Sequence, residues 1–88
     1  MGKMTLRESL SAENKGANPL FVGLVADALE TYLEAQKNIT ERGSVCAHPR
    51  TGAPIENPYI KVRASQVAVL AKFRQIRTEA TLRAFALS

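Results

Sequence analysis

The sequence predicts an all-α fold: an antiparallel helical hairpin with a short β-like or irregular tip, completed by oligomerisation or by a partner chain. Three observations carry that expectation. Two long segments each open on Asn-Pro, at Asn18-Pro19 and Asn57-Pro58, and contain no further proline. The stretch between them holds the turn formers Gly43, Ser44, Pro49, Gly52 and Pro54. Finally, the apolar residues of both segments recur at helical spacing and cover more surface than one neighbouring helix can hide.

With 88 residues the chain has room for one domain at most. A lone core at this size is thin. Residues 1–17 show weak periodicity; 5–10 have the pattern of a short helical turn, and 14–17 read as a linker. They form an expected flexible N-terminal segment, set apart from a helical-hairpin domain over residues 18–88.

The first long helix is expected from Asn18 to Arg42. Asn18 can accept a hydrogen bond from a first-turn N–H, and Pro19 loses nothing at the first helical position. Gly43 after a basic last turn is a normal stop. Along it, Val22, Val25, Leu29, Tyr32, Gln36 and Ile39 alternate at three and four residues, the spacing of a packing seam. Asp27, Glu30, Glu34 and Glu41 line the other side. Residues 44–47 are β-prone, and Pro49 to Gly52 make a turn, so the tip is a small hairpin or an ordered loop.

The second long helix is expected over residues 57–82, with no Gly or Pro from Tyr59 onward. At 100° per residue, Val62, Val69, Phe73, Ile76 and Ala80 share one face. Ile60, Val67 and Ala71 share a second, smaller one. Tyr59, Arg63, Arg74 and Arg77 form a seam between them, with Lys61 and Lys72 opposite. The seam reads either as a solvated face or as a binding face. Phe21, Val25, Leu29, Tyr32, Ile60, Val67 and Phe73 are the expected oligomer or partner interface.

Charge is unevenly placed. The net charge is +4. Residues 43–88 hold Arg50, Lys61, Arg63, Lys72, Arg74, Arg77 and Arg83 against only Glu56 and Glu79. Residues 18–42 are acidic on balance. Such asymmetry suits a polyanion, or an acidic helix of another chain. Lys61, Arg63, Lys72, Arg74 and Arg77 are the candidate nucleic-acid contacts, with double-stranded DNA as the expected partner.

Catalytic chemistry finds little support. Cys46 and His48 are the only soft ligands, spaced to share one side of a strand, whereas zinc needs about four ligands. A Cys–His nucleophile pair would want an orienting acid and an oxyanion loop, and neither is recognisable. Asp27, Glu30 and Glu34 read as a solvated acidic face. No glycine loop cradles phosphate. We expect a non-enzyme with no cofactor and no metal. One cysteine and no apolar leader or spanning segment predict a soluble cytoplasmic protein without membrane contact.

One pattern is more specific. The run LETYLEA over residues 29–35 with Tyr32 at its centre, the stop Glu41-Arg42-Gly43, a turn-rich tip, and Asn57-Pro58 opening a basic helix follow one another in order. This order, over roughly residues 18–80, resembles the C-terminal helical part of a family of tailed-phage terminase small subunits. The resemblance implies a non-catalytic helical protein that oligomerises, directs recognition of packaging-site DNA and recruits a large subunit carrying the ATPase and nuclease. It carries Leu29, Tyr32 and Gly43 over to the fold, and Asn57 and Pro58 to the second helix start. The short segment before the first long helix fits a satellite-type member that joins a phage small subunit, in a bacterial host cell. The alternative reading is a helical protein–protein interaction or inhibitor module that binds no nucleic acid.

Overall fold

The computed structural model describes residues 4–86. It is mostly helical, with one small two-stranded sheet. The order is α1 (Leu6–Glu13), α2 (Pro19–Arg42), β1 (Val45–Ala47), β2 (Pro54–Glu56), α3 (Tyr59–Lys72) and α4 (Glu79–Ala86). Residues 1–3, part of the expected flexible segment, lie outside the described residues.

Helix α2 has the expected bounds and caps. The Asn18 carboxamide accepts from the Leu20 N–H at 2.9 Å, and Pro19 follows in the first turn. Gly43 ends the helix at φ 86°, a left-handed conformation that a side chain would strain, and its N–H reaches the Ile39 carbonyl at 2.7 Å. The tip is an antiparallel hairpin pairing Val45 with Glu56, Cys46 with Ile55 and Ala47 with Pro54. The His48 imidazole Nδ1 accepts from the N–H groups of Arg50 and Thr51, which fixes the turn. Helix α3 then returns along α2 in the opposite direction. Asn57 meets Asn38, Arg63 meets Gln36, and the Phe73 ring lies 5.6 Å from that of Phe21.

Where hairpin and helices meet, one carboxamide ties three elements together. Asn57 is 2% exposed. Its Nδ2 donates to Asn38 Oδ1 at 3.0 Å and to the Gly43 carbonyl at 2.9 Å, while Oδ1 accepts from the Tyr59 N–H at 3.0 Å. The expected cap of the second helix is therefore present, and the same side chain also closes the end of the first.

Two expectations need correction. The second long helix is not continuous over residues 57–82. It stops at Lys72, turns through residues 73–78, and restarts as α4. The turn carries Ile76 into the core at 5% exposure, and the Ile76 N–H bonds the Phe73 carbonyl at 3.0 Å. It is locked from the other end of the chain. The Asn14 carboxamide donates to the Arg77 carbonyl and accepts from the Arg77 N–H, both at 2.6 Å. Glu13 then accepts from the N–H groups of Ala80 and Thr81 and from the Thr81 hydroxyl. A carboxylate at a helix start satisfies orphan N–H groups and complements the macrodipole.

The second correction concerns residues 1–17. Residues 6–13 of that segment form α1 and belong to the main body. Thr5 caps the helix, accepting from the Glu8 N–H at 3.1 Å and bonding the Glu8 carboxylate. Leu6 and Leu10 join Val22, Val25, Ala26, Leu29 and Ile76 in the core. Across its surface the exposed pair Arg7–Asp27 also links α1 to α2.

Two outcomes test this arrangement. Asn57→Ala strands the Gly43 carbonyl and the Asn38 side chain, and should cost about 2–3 kcal/mol in chemical denaturation. Burial would raise the Glu13 carboxyl, but hydrogen bonds from Ala80 and Thr81 and the charge of Arg77 outweigh it and hold it below the usual carboxylate range. A depressed folded-state value means stability that is complete above the unfolded-state value and lost as pH falls through the folded one. Denaturation series below that value should therefore bring the native chain toward Glu13→Gln, whereas a constant gap between the two would contradict the cap.

Candidate interaction surfaces

A flat molecule leaves helix faces uncovered. The body measures 51 × 32 × 18 Å, so its thin direction is less than two helix diameters. Its radius of gyration is 15.2 Å, against about 12 Å for a compact domain of this length. Helix α3 shows the consequence: none of its residues is buried.

The break at Lys72 rearranges the expected basic seam. Lys61 and Lys72 lie on the outward side of α3, both exposed. Arg63 is half-buried on the side facing α2, where it donates to Gln36 Oε1 at 2.8 Å, so it belongs to the packing between the helices. Arg74 and Arg77 leave the α3 register altogether and sit exposed in the 73–78 turn. Among the described residues, the ion pairs are Arg7–Asp27 and Arg83–Glu79. Lys61, Lys72, Arg74 and Arg77 are in neither, although Arg77 contributes to the field at Glu13.

The expected interface divides in the same way. Val25 is 1% exposed and Leu29 is fully buried, both inside the chain's own core, so neither is available to a partner. This follows from α1 and Ile76, which cover the part of α2 that a two-helix hairpin would leave bare. Phe21, Tyr32 and Phe73 are half-buried against the same cluster. Ile60 and Val67 remain on the second, smaller face of α3; Ile60 is half-buried and Val67 is half-exposed.

A groove that periodicity did not foretell runs along the C-terminal half of α2, walled by α4 and the start of α1. It is an open concavity of about 1360 Å³. Tyr32, Leu33, Leu82 and Phe85, which pack on the core, line it. Glu30, Glu34 and Glu41 edge it, together with Lys37 and with Arg83, which is paired to Glu79. The wall formed by α4 depends on Glu13, Asn14 and Thr81, none of which stood out in the sequence. Thr78 ahead of Glu79 was the available signal, an N-cap residue followed by an acid.

Cys46 sits half-buried on β1 and His48 just beyond the strand. The described residues contain no group of three or more His, Cys, Asp or Glu side chains placed to hold a metal ion. No described helix is long and apolar enough to cross a membrane. The chain matches no protein-family model, no curated protein and no solved structure.

Arg63 provides a test of the regrouping. Arg63→Ala should lower stability by about 1 kcal/mol through the lost bond to Gln36. It should leave any affinity for polyanions within twofold of wild type, as measured by fluorescence anisotropy.

Proposed function

We propose that this chain is a non-catalytic, DNA-binding helical factor of the terminase-small-subunit kind, acting in the bacterial host cytoplasm within a multi-chain assembly that directs packaging-site recognition. One observation carries the DNA part: Lys61, Lys72, Arg74 and Arg77 are exposed and outside any ion pair among the described residues, with no acid between Glu56 and Glu79. Cations held this way release counterions when they meet phosphates, and they position a protein on a duplex without reading its bases.

The assembly part has its own support. The accessible surface is 6501 Å², whereas a compact monomer of 9.6 kDa exposes about 5,100 Å². The excess, about 1,400 Å², is more than the roughly 800 Å² that each partner buries in a standard interface. It is in keeping with a helical unit completed by a second chain, either its own copy or a phage small subunit. The groove beside α2 favours a second reading, a helical protein-interaction or inhibitor module without nucleic-acid binding.

Duplex DNA separates the two. If all four cations meet phosphates, log Kd plotted against log salt should have a slope of about 3.6, and replacing all four by Ala should abolish binding while helicity is kept. A salt-independent affinity, or one unchanged in that variant, would favour the interaction module.

A further inference from the structure

We infer that α3 of one copy docks in the groove between α2 and α4 of the next, so that the chain assembles head to tail. The inference rests on the reading that a second chain completes the helical unit, and names that chain and its contact.

Both halves of the contact are present in one molecule. On α3, Ile60, Ala64, Val67 and Ala71 follow one another at four, three and four residues, the spacing of a helix edge that lies in a groove. Ala64, Val67 and Ala71 are exposed and Ile60 is only half-buried. The helix contains no acid. Beside this edge stand Lys61 and Lys72, eleven residues or about 16 Å apart along the axis.

The groove offers the complement. Tyr32, Leu33, Leu82 and Phe85 give it apolar contacts. Along its border Glu30 and Glu41 are also eleven residues apart, about 16 Å on a helix, and Glu34 lies between them. None of the three is in an ion pair among the described residues. Two lysines and two glutamates at equal spacing can therefore meet in register, with the apolar edge seated between the walls. Lys37 opposes the approach, but the acids of the border outnumber it. Apolar burial would provide most of the affinity, and the charges would fix register and partner.

The groove and α3 are different surfaces, so the contact is heterologous. Repeated, it closes into a ring or continues as a filament. Lys61 and Lys72 would also be shared with DNA, so docking and phosphate binding compete for the same two side chains.

Charge reversal tests the contact. Sedimentation over a concentration series should show the native chain associating. Lys61→Glu with Lys72→Glu in one variant, and Glu30→Lys with Glu41→Lys in another, should each lose the high-mass species while keeping native helicity by circular dichroism. Mixed in equal amounts, the two variants should recover it, because each reversed helix then faces a reversed groove. Val67→Asp should prevent assembly when every chain carries it. A native chain that stays a folded monomer at high concentration would overturn self-docking. A native chain that associates while both reversed variants associate equally well would overturn this contact and leave completion by a second chain standing.

Discussion

The hairpin depends on one buried carboxamide. Asn57 bonds the last turn of α2 through Gly43, the body of α2 through Asn38, and the first turn of α3 through Tyr59. Its backbone N–H also bonds Ser44 at the root of the β-hairpin. A buried amide is costly unless satisfied, and here the side chain is satisfied on both ends. The direction in which α3 leaves the tip is therefore set by hydrogen bonds, before apolar contact between the helices adds to it. This matters because α3 buries no residue of its own. Without the polar joint, a helix so lightly covered would have little to fix its angle on α2.

A second joint does comparable work at the opposite side. Glu13 and Asn14 hold the start of α4 and the turn before it, and through them Ile76 is kept in the core. The result is a core built mainly on α2, with α1, the 73–78 turn and α4 wrapped on one flank and α3 on the other. That division explains the surface. The flank with α1 hides Val25 and Leu29. The flank with α3 leaves Val67 exposed and Ile60 only half-covered, and the wall raised by α4 creates the groove. The groove is thus produced by the same turn that completes the core.

Local signals made the first half of this legible. The caps of α2, the Gly43 stop and the Asn57 bond to the first turn of α3 depend on neighbours within four residues, and the tip pairs residues no more than eleven apart; each was readable. The second apolar face of α3 was readable too, since it needs only helical spacing. What could not be read was the end of α3. Residues 73–78 contain no Gly or Pro, and the groups that stabilise the turn lie sixty or more residues upstream. A helix over 57–82 was the sound local answer, overruled by tertiary contacts. The seam of Arg63, Arg74 and Arg77 failed with it, because its geometry assumed an unbroken helix. Residues 6–13 show the same limit from the other side. The stretch is short and polar on average, and its place in the body comes from Leu6 and Leu10 finding α2.

The bonds from Glu13 and Asn14 to residues 77–81 join segments separated by 63 to 68 positions. Closing so long a loop is slow compared with zipping up adjacent elements, because chain entropy opposes it until the last contact forms. During synthesis, α2, the hairpin and α3 can come together soon after they emerge. Leu6 and Leu10 must wait for Ile76 to finish their surroundings, and α4 cannot be clamped until it leaves the ribosome. In the nascent chain the flank with α3 therefore has its partners available before the flank with α4 does.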